Sequence, residues 1–342
     1  MKQLKNTLYL SYDEGQISCS GRALVIRAKD QALQQFPVHI LEQIVCFGSV
    51  MLTPDAMNLC LANNVTINYL SVYGRFRGRI SGPVRGNVLL RRMQFRRADD
   101  PVQTAELATA FLLSKISNAR TVLLRHARER ETNVFDEAVR DMAGLLVKLK
   151  GFTITDLNEL RGLEGDAANI YFRCFDSMIL KNRETFSFHG RSRRPPSDPI
   201  NALLSLGYSL LAAEITGVLE SVGLDPSVGF LHKDRPGRPS LALDLMEEFR
   251  AVVVDRFVLA LVNREQLQAN DFETDEAGGV ALTEKARKEI FLNEWENRKR
   301  TEIIHPVLGE KISFGLLPHV QAMLLARSLR GDLDFYPPFF LK

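Results

Sequence analysis

The hydrophobic period of this chain changes once, near residue 87, and no single layer of secondary structure accommodates both halves. Before the change, apolar residues alternate or cluster in short β-branched runs. Residues 7–12 (TLYLSY) alternate, residues 17–26 contain the turn-prone Ser20-Gly21, and residues 44–47 and 65–70 are rich in Ile and Val. One helix interrupts them, with Thr53 as cap, Pro54 in the first turn and Asn63-Asn64 to close it. Gly74, Gly78, Gly82 and Gly86, with Pro83 among them, read as a hairpin or linker leaving the strands. From Asn87 onward the period is 3.6, which predicts helices over 102–131, 134–149, 156–180, 198–222, 241–263, 283–303 and 318–329. Asp156 with Glu159 and the pair Asp198-Pro199 are helix-start signals. The expected class is α+β: a small β-rich N-terminal domain, 1–86, followed by a larger all-α domain, 87–342. Two domains also suit 342 residues at about 150 residues per domain.

Hydrophobic residues at 45% and charged residues at 25% exclude a chain that cannot bury a core. The apolar runs at 251–254 and 257–262 are far shorter than the ~18 residues a membrane-spanning helix needs, so no membrane association is expected. Asp13 and Glu14 arrive before any apolar run, unlike a secretory signal. Cys19, Cys46, Cys60 and Cys174 form no C-x-x-C pair; they are expected to be reduced thiols of a cytoplasmic protein, with no structural zinc.

The net charge of +3 hides an asymmetry. Residues 1–98 carry 13 Lys or Arg against 5 Asp or Glu, and the remainder 31 against 36. Between Ala56 and Ala98 there is no acid but eight arginines: Arg75, Arg77, Arg79, Arg85, Arg91, Arg92, Arg96 and Arg97, with Tyr73, Phe76 and Phe95 interleaved. Forked guanidinium donors suit phosphate oxygens, so a polyanion such as nucleic acid is the expected partner; a solvated basic face is the alternative. The loop at 181–196 is also basic, with Lys181, Arg183, Arg191, Arg193 and Arg194. The tail at 335–342 is aromatic and proline-rich and either docks on a surface or stays disordered.

No G-x-S-x-G elbow, no G-x-x-x-x-G-K-[ST] loop and no G-x-G-x-x-G turn occurs, which argues against serine hydrolase, P-loop and dinucleotide chemistry. Carboxylates carry more. Glu164 shares a helical face with Ala167, Ala168, Tyr171 and Phe175; such a face turns inward, where a carboxylate needs a proton, a cation or a metal. The competing reading places Glu164 near a helix start, where it favours the dipole. His232 precedes a helix in a Gly/Pro-rich loop, a place for either a functional or a solvated imidazole. On that helix Asp244, Glu247, Glu248 and Asp255 fall on one stripe opposite Leu245, Met246, Phe249, Val252 and Val253. The stripe is either an exposed acidic face or a repulsive set that a divalent cation relieves.

Three ordered blocks carry a resemblance: R-G-L-E-G-x-A-A around Glu164; Arg194 to Tyr208 (RPPSDPINALLSLGY); and G-F-x-H followed by S-L-x-x-D-L-M-E-x-F-R. Together they resemble the CRISPR adaptation integrase family, the universal CRISPR-associated endonuclease that inserts new spacers, over essentially the whole chain. The resemblance implies that the α-helical domain is catalytic. It implies a metal site of Glu164, His232 and Glu247 holding Mg²⁺ or Mn²⁺, with Asp244 as accessory acid; the third ligand is Asp in many members and Glu here. It also implies homodimerisation through the β-domains, a small ferredoxin-like CRISPR partner protein, and attack of spacer-precursor 3′-hydroxyls on the CRISPR repeat without ATP. Phosphate contacts are expected from Arg75, Arg77, Arg191, Arg193, Arg194 and Lys233, and Tyr171 and Tyr208 are expected either to line the site or to sit in the core. A stand-alone structure-selective DNA nuclease in repair and a non-catalytic DNA-binding scaffold are the alternative functions.

Overall fold

The computed structural model describes residues 5–11, 15–28, 33–71, 74, 76–83, 88–151, 155–192 and 195–341. Two four-stranded sheets form the N-terminal part. The first has the order β1 (Asn6–Ser11), β5 (Leu41–Phe47), β7 (Thr66–Leu70), β8 (Phe76–Ile80); β1, β5 and β7 are parallel and β8 is antiparallel. The second runs β4 (Gln34–Pro37), β3 (Ala23–Arg27), β2 (Gln16–Ser20), β6 (Met51–Leu52), an antiparallel meander with β6 parallel to β2. Helix α1 (Pro54–Ala62) begins as expected: the Thr53 hydroxyl accepts from Ala56 N–H at 3.3 Å.

The first sheet is buried on both faces, which explains the near-continuous apolar run LEQIVCF in β5. Ile44, Cys46 and Ile67 face the second sheet, while the alternate residues Val45, Phe47 and Leu70 join the core of the helical body. A desolvated polar seam reinforces that junction. Lys299 bonds to Glu214 at 3.1 Å, Glu296 at 2.9 Å and the Thr7 hydroxyl at 3.3 Å, and Tyr9 donates to Glu296 at 2.9 Å. Gly74, at φ +76°, leaves no room for a side chain, because a Cβ there would lie 2.6 Å from Leu206. Of the two readings of this glycine-rich stretch the hairpin holds for its described residues, since β8 pairs antiparallel with β7 and completes the first sheet.

The helical body consists of α2 (Val88–Asp99), α3 (Pro101–Arg130), α4 (Asp136–Gly151), α5 (Leu157–Arg173), α6 (Pro199–Val222), α7 (Ser240–Glu247), α8 (Arg256–Asn263), the short α9 (Glu284–Ala286), α10 (Asn293–Arg300) and α11 (Leu317–Arg330). Four features correct the expectations. Helix α2 shows no inward period because its apolar residues Val88, Leu89 and Phe95 are exposed: only Leu90 and Gln94 turn fully inward, and Gln94 donates to the carbonyls of Asp225 and Val228. The body is not purely helical, because β9 (Phe272–Thr274) pairs with β10 (Val280–Leu282) and β11 (Glu302–Ile304) with β12 (Lys311–Ser313). The helix expected over 241–263 is two helices joined by a widened turn at Arg250–Asp255. Finally, α6 is long and apolar enough to cross a membrane by length and composition, against the expectation that no segment is; it lies in the core, with Ile200, Leu203, Leu204, Ile215 and Leu219 fully buried.

The aromatic tail docks. Phe339 is completely buried against Phe249, the Tyr336 hydroxyl donates to Glu248, and Phe339 N–H donates to the same carboxyl at 2.7 Å. Burial pushes the Glu248 carboxyl up to about 8, whereas an unfolded chain releases that proton near ~4.3. Between those values the folded protein keeps a proton that the unfolded chain has lost, so raising pH favours unfolding. This contribution is complete below the unfolded value and disappears as pH climbs through the folded one. Glu248→Gln keeps the shape and cannot titrate. Urea midpoints measured from pH 5 to 8 are expected to fall less for this variant than for the parent chain.

Candidate active site

A cleft of about 480 Å³ opens between α3, α5, α6 and the loop before α7. Its floor carries an acid that water does not reach. Glu247, at the C-terminal end of α7, is 3% exposed. Desolvation alone would raise its pKa, but the Arg250 guanidinium, the Lys115 ammonium and His232 hold the carboxyl down at about 2. Arg250 Nε donates to Oε1 at 2.9 Å, Lys115 Nζ pairs with Oε2 at 2.8 Å, and His232 Nε2 stands 4.0 Å from Oε1. Lys115 also bonds to Glu164, so one ammonium bridges the two carboxylates.

Glu164 projects from α5, whose start is fixed by Asp156 accepting from Asn158 N–H at 2.8 Å. As its sequence pattern implied, Glu164 shares the cleft wall with Ala167, Ala168 and Tyr171. Two alanines there keep the wall low, and Glu164 remains about one-third exposed.

His232 is oriented by Asp244, which has no exposed surface. One carboxylate oxygen accepts from the N–H groups of Phe230 (2.6 Å) and Leu231 (3.0 Å); the other accepts from His232 N–H (2.9 Å) and lies 2.6 Å from His232 Nδ1. A carboxylate accepting three N–H bonds places a proton on Nδ1, and Nε2 is the ring atom turned toward Glu247. Gly229 makes this loop possible, because a Cβ there would come within 2.9 Å of the Asp244 carboxylate and closer still to Ser240.

The acidic stripe read from sequence is neither exposed nor shared. Asp244, Glu247, Glu248 and Asp255 are all buried, and each has its own partners. Glu248 faces the tail, and Asp255 accepts from Tyr208. Burial raises Asp255 to about 6, even though the Tyr208 hydrogen bond opposes the shift. The widened turn after α7 swings Asp255 to the cleft side. Gly207 permits that approach, since a Cβ on it would meet Val254 at 2.7 Å.

Glu164, His232 and Glu247 therefore meet in one cleft. Tyr171 and Tyr208 are both buried and both line it, and Lys233 stands at the rim. Asp244 lies behind the histidine. Arg191 stacks 5.4 Å over the Tyr208 ring, Arg77 is exposed on β8 away from the cleft, and Arg75, Arg193 and Arg194 lie outside the described residues. Sequence reasoning missed Lys115, Arg161, Arg235, Arg238 and Arg250. Lys115 interrupts the apolar run FLLSKIS, and that lone cation on an inward face was the available signal.

The donor set suits a divalent cation: one imidazole nitrogen and two carboxylates, with the buried Glu247 Oε2 paired with the Lys115 ammonium at 2.8 Å. Among the described residues no three His, Cys, Asp or Glu side chains are drawn together closely enough to hold an ion, and Lys115 sits between the two carboxylates.

A family model described as CRISPR associated protein Cas1 matches residues 8–297. The chain belongs to the Cas1 family. Relatives named CRISPR-associated endonuclease Cas1 from Chlorobaculum tepidum and Rhodospirillum rubrum are each 46% identical to it, over 99% and 100% of both chains. Among solved structures, a casposase bound to integration product superposes with a TM-score of 0.83 at 26% identity, covering 97% of this chain and 92% of that one. A Cas1 protein from Thermotoga maritima shares the fold, with a TM-score of 0.80 over 98% of this chain and 100% of that one. Membership agrees with the α+β order of the fold and with the blocks around Glu164 and His232.

The roles of Asp244 and His232 separate by stability. Asp244→Ala leaves three buried N–H groups without an acceptor and is expected to cost about 3 kcal/mol or more. His232→Ala removes a partly exposed ring and is expected to cost under ~1 kcal/mol. Urea unfolding of the two variants measures the difference.

Proposed function

We propose that this Cas1 family protein is a DNA integrase and endonuclease of CRISPR adaptation, joining spacer-precursor 3′-hydroxyls to the CRISPR repeat. The observation that carries the reading is the meeting of Glu164, His232 and Glu247, from three separate parts of the chain, in one cleft rimmed by cations. Those three side chains would hold Mg²⁺ or Mn²⁺. The metal, when bound, supplies Lewis-acid polarisation of a phosphodiester and a lowered pKa for an oxygen nucleophile.

The chain's own residues do the rest. Asp244 fixes the rotation and tautomer of His232, so that Nε2 faces the cleft. Arg250 keeps Glu247 ionised, and Tyr208, Tyr171 and Asp255 close the inner wall against water. Arg161, Lys233, Arg235 and Arg238 surround the mouth, where guanidinium forks would orient phosphate oxygens. In the joining step the 3′-oxygen bonds to phosphorus as the P–O3′ bond of the repeat strand breaks, and the two protons exchange with solvent. One phosphodiester replaces another, so no protein nucleophile and no ATP is needed.

A relative solved with integration product supports DNA as substrate, and the basic segments bearing Arg77 and Arg191, with Arg75, Arg193 and Arg194, would track its backbone. The reading extends to residues 1–86 as the dimerisation unit and 87–342 as the catalytic one. It also includes a small ferredoxin-like adaptation protein as partner, and action in the cytoplasm, where the four free thiols persist.

The test combines the purified chain, its small partner, a precursor with free 3′-hydroxyls and a repeat-bearing plasmid in Mg²⁺ or Mn²⁺. Half-site products are expected, and they should fall at least ~10²-fold with Glu164→Ala, His232→Ala or Glu247→Ala. Undiminished joining by Glu247→Ala would overturn the assignment. Cleavage without joining would favour a stand-alone nuclease, and salt-dependent binding indifferent to metal would favour a scaffold.

A further inference from the structure

The C-terminal tail touches the neighbours of both charged contacts in the cleft. Ser114, next to Lys115 on α3, donates its hydroxyl to the Phe339 carbonyl. Asn118, one turn further along α3, donates from Nδ2 to the same carbonyl at 2.9 Å and to the Glu248 carbonyl at 2.8 Å, and its Oδ1 accepts from Leu341 N–H at 2.8 Å. Glu248, next to Glu247, receives the Tyr336 hydroxyl and Phe339 N–H. Gln321 of α11 completes the cluster through Nε2, which reaches Glu248 at 3.0 Å, the Tyr336 oxygen at 2.8 Å and the Pro337 carbonyl at 3.1 Å. Every one of these side chains is buried or nearly so, and Phe339 fills the space between α3 and Phe249.

We infer that the segment Tyr336–Leu341 is a positioning strap. It staples α3 to the end of α7 and thereby sets the distance between Lys115 and the Glu164–Glu247 pair. Three observations support the claim. The tail forms no strand or helix of its own, so its fixed path comes from these side-chain bonds. Apart from those to Gln321 of α11, its bonds fall on Ser114, Asn118 and Glu248, on α3 beside Lys115 and at the end of α7 beside Glu247. Inside the cleft α3 meets α7 through the Lys115–Glu247 pair at 2.8 Å, a flexible side chain, while the backbone tie beside it, Asn118 Nδ2 to the Glu248 carbonyl, is made by the same amide that holds the tail. Tyr336, Phe339, Asn118 and Gln321 touch no reacting atom on this account; they act through Lys115 and Glu247.

The inference rests on the cleft being the site of DNA chemistry, and the experiment separates the two. Tyr336→Phe and Phe339→Ala are made in the full chain beside Phe339→Leu and Glu247→Ala, and joining is measured at temperatures below each variant's melting midpoint. Tyr336→Phe and Phe339→Ala are expected to lower kcat at least 10-fold with KM for DNA within twofold of the parent, and Phe339→Leu to recover most of the loss. The strap is overturned if kcat is unchanged in Tyr336→Phe, or if the loss follows the unfolded fraction in a melting curve. Should Phe339→Ala not fold, Tyr336→Phe, which removes one hydroxyl and no packing volume, decides alone. Full activity of Glu247→Ala would instead show that the cleft reading has failed.

Discussion

A carboxylate kept ionised out of reach of water is the constraint around which this molecule is arranged. Glu247 is 3% exposed, and an isolated charge there would cost several kcal/mol. Compensation comes from three directions: Arg250 one turn along the chain, Lys115 from α3 and His232 from the loop before α7. Each supplier needs a support of its own. Arg250 lies 4.8 Å over the Tyr208 ring, His232 is held by Asp244, and α3 is held by the docked tail. The large core of the helical body is what keeps those supports at fixed separations.

The main outline could be read from the letters, for reasons that individual elements make plain. Residues 44–47 and 65–70 announced strands because a sheet covered on both faces needs β-branched residues at successive positions. Helices α3, α4 and α6 announced themselves because each buries a long stripe. Helix α2 did not, since its inward face is Leu90 and Gln94 while Val88, Leu89 and Phe95 face out among arginines; one contact that holds it is an amide bonded to loop carbonyls more than a hundred residues away. The short hairpins β9–β10 and β11–β12 are three residues a strand, below the length at which alternation can be recognised.

The site divides in the same way. Glu164, on an apolar face, and His232, in a Gly/Pro loop, were locally noticeable, but each also had an ordinary reading, and the family resemblance is what joined them to Glu247. Lys115 is just as anomalous, but its partners come from α5 and α7, and no local pattern connects it to them. The acidic stripe misled because α7 is buried on nearly every side, so Asp244, Glu247 and Glu248 each meet a different neighbour: backbone amides, cations and the tail. Only Asp255 lies in the widened turn, where it meets a tyrosine.

The same reasoning explains why the sheet and the helical body are joined by charge as well as by packing. Lys299 is buried with Glu214 and Glu296, and their attraction holds its pKa above the ordinary lysine value against a desolvation that would lower it. A buried pair of this kind contributes little net stability compared with apolar residues of the same volume, but it tolerates only one register. Thr7 and Tyr9, alternate residues of β1, bond to this cluster, so a slip of β1 by one residue would strand the lysine without its hydroxyl and turn Leu8 out of the β core. The polar seam therefore selects one docking of the first sheet on α6 and α10. Helix α6 carries Glu214 at one point and Tyr208, which lines the cleft, less than two turns away. The register of the N-terminal strands is thus tied through one helix to the wall of the cleft that holds Glu164, His232 and Glu247.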